Sequence, residues 1–173
     1  NIMTLENPGI SRRKLLRTTA IGVPAAGMLA FGSTLVTAPA ANADITIDGY
    51  WGPETSKGIQ NFMNLVYFNA NLEVDGVISS QPSGMKSSCP GITGGWEWVS
   101  DNQAQGSPTL FYVSYWLGEK TEFKNIRGDQ KITQDLIKAL QSYYKLPVDG
   151  RLEGPSSAIE ALQKEINSAV GNY

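Results

Sequence analysis

Three Asp-Gly pairs recur along the chain, and each follows an apolar residue. They lie in Ile47-Asp48-Gly49-Tyr50-Trp51-Gly52-Pro53, in Val74-Asp75-Gly76-Val77-Ile78-Ser79 and in Val148-Asp149-Gly150-Arg151-Leu152-Glu153-Gly154-Pro155. An Asp side chain accepts hydrogen bonds from backbone N–H groups two or three residues later, and glycine adopts a positive φ without a steric penalty. Each pair therefore predicts a tight turn in which Asp is structural rather than a catalytic acid. The apolar residue two beyond each glycine is expected to point inward; these residues are Trp51, Ile78 and Leu152.

Apolar residues spaced by three, four and seven positions predict amphipathic helices around these turns. Pro53 and Pro155 suit the first turn of a helix, where the missing N–H costs nothing. The predicted helices cover residues 53–67, 133–144 and 155–169. Ser107-Pro108 is a further helix start, although the aromatic and branched residues of 109–117 leave a short β-hairpin as the alternative. Residues 79–95 are rich in Ser, Gly and Pro, which predicts a long loop.

The first 43 residues are typical of an export signal rather than of a folded segment. A basic stretch, Ser11-Arg12-Arg13-Lys14-Leu15-Leu16-Arg17, precedes an apolar run that ends near Val36 and the small-residue site Ala41-Asn42-Ala43. This order is that of a secretory signal peptide, and the paired arginines resemble the bacterial twin-arginine signal. A spanning helix needs about 20 strongly apolar residues, and the glycines of this run argue against one. The pattern predicts export, cleavage before Asp44 and no membrane association afterwards.

Composition excludes several kinds of chemistry. The chain holds no His, which excludes Ser-His-Asp and Cys-His nucleophiles and His-ligated zinc. Because residues 1–43 hold four basic residues and one acidic residue, 10 basic and 15 acidic residues remain after them, so no nucleic-acid partner is expected. No calcium-loop spacing is present, and we expect neither a metal nor another cofactor. Cys89 is the only cysteine; it cannot form an internal disulfide and is expected to be a passive thiol in a loop.

The last turn and its two flanking helices resemble the small helical peptidoglycan-binding domain that accompanies bacterial cell-wall hydrolases. The matching segments are Leu140-Gln141, Val148-Asp149-Gly150 and Leu162-Gln163. The earlier part resembles the variant appended to lysozyme-type muramidases, through Asp48-Gly49-Tyr50-Trp51-Gly52, Ile59-Gln60, Val74-Asp75-Gly76-Val77-Ile78-Ser79, Gly95-Trp96-Glu97-Trp98 and Gly106-Ser107. The resemblance covers nearly all of residues 45–167. In two departures, the first unit lacks its leading helix, and the last turn, Leu152-Glu153-Gly154, has an extra residue and no aromatic.

The resemblance implies a predominantly all-α fold, a small bundle of tandem helix–Asp-Gly turn–helix repeats with long irregular loops. It divides the chain into the signal peptide, residues 1–43, a first and incomplete repeat with a Trp-containing loop, residues 44–106, and a second, complete repeat, residues 107–173.

The resemblance also implies an exported, non-catalytic module that binds cell-wall peptidoglycan through its glycan or its stem peptide. One alternative is a protein-interaction or inhibitor module that binds another exported protein, and a further one is a small cell-wall hydrolase. A hydrolase needs two carboxylates about 5–9 Å apart beside a sugar groove, and the muramidase barrel takes about 250 residues, so we expect no enzyme. The candidate ligand contacts are Asp48, Gly49, Tyr50, Trp51, Asp75, Trp96, Trp98, Asp149 and Gly150.

Overall fold

Four α-helices and two short strands make up the part of the chain that the computed structural model describes, residues 44–171. In chain order they are α1 (Pro53–Val66), β1 (Ile78–Pro82), β2 (Trp96–Val99), α2 (Pro108–Lys120), α3 (Gln134–Tyr143) and α4 (Ser157–Gly171). Short 3₁₀ segments lie at Ser83–Ser88, Asp101–Gln103 and Lys124–Ile126. The predominantly helical fold predicted from the sequence is confirmed, whereas the predicted signal peptide lies outside the described residues. No helix within 44–171 has the length and apolar character needed to cross a membrane.

The helix starts follow from local capping. Pro53 opens α1, and Ser107 caps α2 by accepting hydrogen bonds at its side-chain oxygen from the N–H groups of Thr109 and Leu110. Thr133 caps α3 in the same way, and the Ser156 hydroxyl accepts from the N–H of Ile159 at 3.1 Å at the start of α4. Such caps satisfy N–H groups that have no partner inside the helix. Residues 108–120 are therefore helical, and the β-hairpin alternative is wrong.

The two strands pair in parallel, with Ile78 opposite Trp96 and Gln81 opposite Trp98. This pairing corrects two expectations, because residues 79–95 were predicted to be a long loop and the Trp-containing segment to be a loop as well. The register is irregular between Ile78 and Gln81, where Ser80 has a φ of +49°. Strands this short and irregular carry little alternating apolar pattern, and they pair in parallel across the intervening residues 83–95, so local sequence does not indicate them.

Within residues 44–171, one hydrophobic core runs between the helices and reaches the strands. Phe62 of α1 meets Trp116 of α2 edge to face, with ring centroids 5.2 Å apart, and Trp116 in turn contacts Tyr143 of α3 at 4.9 Å. The most deeply buried large side chains include Ile59, Met63, Ile78, Leu110, Leu117, Ile126, Ile137, Leu152, Ile159, Leu162 and Ile166. The core therefore draws side chains from both predicted repeats.

Hydrogen bonds also join the two predicted repeats, and residues 45–170 form one compact unit. The Asn167 side chain accepts from the N–H of Ile45 at 2.8 Å and donates to its carbonyl oxygen at 2.9 Å. The buried Gln81 side chain of β1 accepts from the N–H of Ile132 at 2.7 Å. These bonds place the Asp-Gly turns of both halves on one folded body.

Candidate functional site

The first Asp-Gly turn is held by a glutamine from the last helix. Gln163 accepts at Oε1 from the N–H groups of Asp48 and Gly49, at 3.0 and 2.9 Å. Its Nε2 donates to Asp48 Oδ1 at 3.2 Å and to the carbonyl oxygen of Tyr50 at 2.8 Å. Asp48 Oδ1 also accepts from the N–H of Tyr50, at 2.9 Å. We name this set of bonds, from one Gln side chain to the Asp, the Gly and the residue after it, a Gln clasp.

The other two turns have the same arrangement. Gln60 of α1 accepts from the N–H of Gly76 at 2.9 Å and donates to Asp75 Oδ1 at 2.9 Å and to the carbonyl oxygen of Val77 at 3.2 Å.

In the third turn, Gln141 of α3 accepts from the N–H groups of Asp149 and Gly150, both at 3.0 Å. It donates to Asp149 Oδ1 at 2.8 Å and to the carbonyl oxygen of Arg151 at 2.9 Å. The φ angles of the three glycines lie between +76° and +80°, a conformation that strains any other residue.

The glutamines were not predicted as turn partners, although the sequence carries a signal for them. Each Gln of a clasp directly follows a buried aliphatic residue in its helix. The pairs are Ile59-Gln60, Leu140-Gln141 and Leu162-Gln163. All three Gln side chains are buried, so their amides need these partners to avoid the cost of unsatisfied polar groups. The bonds of Gln163 could not be predicted from local sequence, because the turn that it holds lies at the other end of the compact unit.

The segment Ser88–Gly95 connects the three turns. The N–H of Leu152 donates to the Ser88 carbonyl oxygen at 2.9 Å, and the N–H of Gly91 donates back to Leu152 at 2.8 Å. The N–H of Trp51 donates to Gly91 at 2.8 Å, and that of Ile78 donates to Gly95 at 2.8 Å. The third, first and second turns therefore follow one another along this segment, which spans at most about 25 Å if fully extended.

Each turn buries one residue and exposes others. Trp51, Ile78 and Leu152 are buried, which confirms that the residue two beyond each glycine points inward. The apolar residue before each Asp is exposed instead, and the exposed fractions of Ile47, Val74 and Val148 are 41%, 38% and 46%. The Asp residues and the residues after the glycines, Tyr50, Val77 and Arg151, are also exposed. Gly49 and Gly150 are buried, and their N–H groups are bonded to Gln side chains, so the turns offer a ligand side chains rather than free amides.

The tryptophans fall into two groups. Trp51 and Trp96 lie in the core, with ring centroids 5.3 Å apart in an edge-to-face contact. Trp51 and Trp96 were both candidate ligand contacts, but only 3% and 9% of these residues are exposed, so neither offers a ligand a free indole face. In β2, Trp96 and Trp98 lie on the same face of the strand, and Trp98 stacks on Trp96 at 5.4 Å while remaining partly exposed. Trp98 is thus the indole that retains access to solvent.

Three charged residues lie at the third turn: Asp149, Arg151 and Glu153. Hydrogen bonds from Gln141 and from the N–H of Arg151 lower the pKa of Asp149. Arg151 Nε lies 2.8 Å from Glu153 Oε2, and because both side chains are exposed, this ion pair contributes little to stability. Within residues 44–171, no group of three His, Cys, Asp or Glu side chains is placed to hold a metal ion.

Cys89 lies beside the third turn and is buried. Burial raises the pKa of its thiol to about 12, against a smaller opposite effect of Arg151. A buried and protonated thiol is a poor nucleophile. This environment agrees with the prediction of a passive thiol.

Comparisons of this chain with known protein families, with curated proteins and with solved structures give no match.

Proposed function

We propose that this protein is a non-catalytic module that binds peptidoglycan of the bacterial cell wall. The observation that supports the proposal is the set of three like turns along Ser88–Gly95, each with an exposed Asp and an exposed apolar residue before it. A polymer that repeats the same groups along its length matches several like contacts on one rigid body. Several weak contacts to one polymer add up to a useful affinity without any deep pocket.

The chemistry of the turns suits a polar polymer with apolar faces. The exposed Asp carboxylates accept hydrogen bonds from amide and hydroxyl groups, which glycan and stem peptide both carry. Aliphatic residues such as Val74 and Val148, together with the ring of Tyr50, cover sugar C–H groups and peptide methyl groups. Because acidic residues outnumber basic ones after residue 43, attraction to anionic polymers contributes nothing to this binding.

The proposal includes an architecture of internal repeats similar to that of the peptidoglycan-binding domain. The three Gln clasps support it, because the same residue type performs the same bonding at Asp48, Asp75 and Asp149. In this interpretation α4, which carries Gln163, takes the place of the leading helix that the first unit lacks.

The proposal also places the protein outside the cytoplasm, through a twin-arginine-type signal in residues 1–43. The test is export of the chain and of an Arg12→Lys/Arg13→Lys variant from a bacterial host. We expect the secreted parent to begin at Asp44 and the variant to stay inside the cell. A secreted form that begins at Asn1 or Met3 would overturn this part of the proposal.

The binding experiment is a pull-down of the purified protein on cell-wall sacculi, with turbidity followed in the same tube. A variant with Tyr50→Ser, Val77→Ser and Val148→Ser removes exposed side chains and leaves the Gln clasps intact. We expect the parent to sediment with sacculi without clearing them, and the variant to bind at least about tenfold more weakly at an unchanged Tm. Clearing of the sacculi by the parent would favour the hydrolase instead.

A second candidate function is a protein-interaction or inhibitor module, and an aromatic surface patch favours it. The patch comprises Tyr67, Phe68, Phe111, Tyr112 and Tyr115, at the end of α1 and on the outer side of α2. Phe68 is 95% exposed, and exposed aromatic side chains of this kind are enriched at protein interfaces. A Phe68→Ser/Tyr115→Ser variant separates the two functions. The wall-binding function expects this variant to bind sacculi like the parent. A parent that does not bind sacculi but captures another exported protein, with that capture lost in the variant, would favour the second function.

A further inference from the structure

Each of the three turns contains an Asp-Gly peptide bond, the dipeptide most prone to rearrange chemically. Glycine has no side chain to hinder attack by its backbone nitrogen on the carboxyl group of the preceding Asp. The nitrogen loses its proton and its electron pair forms a bond to Cγ, while one carboxyl oxygen leaves as water with its own proton and the one that the nitrogen lost. The five-membered imide then takes up water, and opening on the main-chain side gives isoaspartate with no net change in mass.

Isoaspartate is incompatible with these turns. It routes the main chain through Cβ and Cγ, so Oδ1 no longer accepts from the N–H two residues later, a bond that is 2.9 Å long in all three turns. The rearrangement would also displace the buried residue that follows, which is Trp51, Ile78 or Leu152. The fold therefore depends on three bonds of this kind remaining intact.

The Gln clasps bind the atom that starts the reaction. The N–H of each turn glycine donates to Oε1 of a buried Gln, at 2.9 Å for Gly49, 2.9 Å for Gly76 and 3.0 Å for Gly150. A base removes a backbone amide proton only after such a bond opens, as in hydrogen exchange. The carboxamide oxygen is itself too weak a base to take the proton. While a clasp is closed, the glycine nitrogen therefore does not become a nucleophile.

A second side chain packs on each of these glycines. The nearest atom to an added Cβ would be Pro155 Cβ at 2.8 Å for Gly49, Lys57 Cε at 3.2 Å for Gly76 and Lys138 Cε at 3.3 Å for Gly150. In the second and third turns one helix supplies both contacts, because Lys57 and Lys138 lie three residues before the Gln of their clasp. All three glycines are buried although the Asp residues are exposed, so water has little access to the reacting nitrogen.

The clasps also hold the carboxyl group, which is the other reactant. Each Asp Oδ1 accepts from two donors, the N–H two residues later and Nε2 of the clasp Gln. The protonated acid is the form that the nitrogen attacks, since the negative charge of a carboxylate repels an electron pair. In the third turn these bonds lower the pKa of Asp149 and so favour the less reactive, ionised form.

We propose that the three Gln clasps protect the Asp-Gly bonds of this protein from isomerisation to isoaspartate. Each clasp holds both reactants of the first step, the nitrogen through Gln Oε1 and the carboxyl group through Gln Nε2. This gives the buried glutamines a chemical role besides their structural one. The inference does not rest on the proposed function.

The first measurement uses the parent protein alone. Folded protein and protein unfolded in guanidinium chloride are incubated side by side at neutral pH and the same temperature. Mass spectrometry of proteolytic peptides then quantifies isoaspartate at each turn. We expect all three bonds to isomerise at least about tenfold more slowly in the folded protein, the effect of about one net hydrogen bond or more. Equal rates in the two samples would overturn the proposal.

The second measurement separates a clasp from the fold as a whole. Gln141→Met removes the amide and retains an unbranched side chain, and Gln60→Met does the same at the second turn. Each variant is incubated at a temperature at which circular dichroism shows it to be folded. We expect Gln141→Met to isomerise about tenfold faster than the parent at Asp149 alone, and Gln60→Met to do so at Asp75 alone.

The matched control is Gln103→Met, at an exposed position outside the turns, and it should isomerise like the parent at all three bonds. A folded Gln141→Met protein with the parent's rate at Asp149 would show that the clasp does not protect the bond. Equally raised rates at all three turns would show that protection comes from the fold as a whole, and this result too would overturn the proposal.

Discussion

Gln163 Oε1 accepts a hydrogen bond from the backbone N–H of Asp48, which lies 115 positions earlier in the chain. The same side chain bonds Gly49 and Tyr50, so the last helix holds the first turn with the same kind of bonds that α1 and α3 make to the second and third turns. This bond extends the contact between distant parts of the chain that Asn167 makes with Ile45.

Replacement of Gln163 by Ala is expected to lower the free energy of unfolding by about 2–4 kcal/mol, because it leaves the N–H groups of Asp48 and Gly49 without their acceptor. Urea denaturation followed by circular dichroism measures this change. Gln141→Ala should have a similar effect at Asp149. Gln103→Ala is the control, since Gln103 is exposed, and should change stability by no more than about 0.5 kcal/mol. Equal stability of the Gln163 and Gln103 variants would show that the clasp is not structural.

Gly91→Ala should destabilise the fold by about 1–3 kcal/mol or more, because an added Cβ overlaps the carbonyl oxygen of Glu153 in the third turn. Backbone cannot move aside as a flexible side chain does. Gly94→Ala is the control: its Cβ would meet Pro53 Cδ at 3.5 Å, an ordinary contact. The measurement is the melting temperature of each variant, and we expect that of Gly91→Ala to be the lower. A Gly91 variant that melts with the Gly94 variant would mean that Ser88–Gly95 does not pack tightly between the turns.

Acid should weaken the third turn through Asp149. Its lowered pKa means that the folded state favours the ionised carboxylate. The resulting stability is present above the ordinary carboxyl pKa of about 3.9 and is lost as the pH falls through the lower folded-state value. Asp149→Asn should therefore lose less stability than the parent between about pH 5 and pH 2.5.

The control for this pH dependence is Glu73→Gln, at an exposed position of the described chain. We expect it to follow the parent through the same acid titration of unfolding free energy. If Asp149→Asn follows the parent as well, the clasp bonds to this carboxylate do not contribute to stability.

Cys89 should resist thiol reagents in the folded protein. A rise in its pKa from 9.0 to about 12 lowers the thiolate fraction roughly a thousandfold near neutral pH, and burial blocks access as well. Labelling of Cys89 with Ellman's reagent should therefore occur only when the protein unfolds. A Cys89→Ser/Ser87→Cys variant moves the thiol to an exposed neighbouring position and should react at once. Rapid labelling of the parent would contradict the burial of Cys89.

The sequence predicted the helices and turns better than it predicted their partners. Capping residues and apolar spacing are local, so α1 and α3 begin within one residue of prediction, and α4 begins two residues later because Ser156 caps it. The parallel pairing of Ile78 with Trp96 joins two short strands across an intervening segment, and no local sequence pattern indicates it. The Trp-containing segment was predicted to be a loop because its surroundings are rich in Gly, whereas it forms a strand that turns the indoles of Trp96 and Trp98 to one side.

The candidate site shows the same division. The Asp-Gly motif identified each turn, and the inward residues Trp51, Ile78 and Leu152 were correct. The sequence could not show that the turn amides are already bonded to Gln side chains, since that depends on which helix packs against which turn.

The three clasps form a cycle. The first turn leads into α1, whose Gln60 holds the second turn; α3 holds the third turn through Gln141; and α4 returns to the first through Gln163. Because each clasp joins a helix to a turn within this cycle, the set of clasps does not depend on where along the cycle the chain begins and ends. A circular permutant, joined from residue 170 to residue 45 and opened in an exposed loop, would retain every clasp.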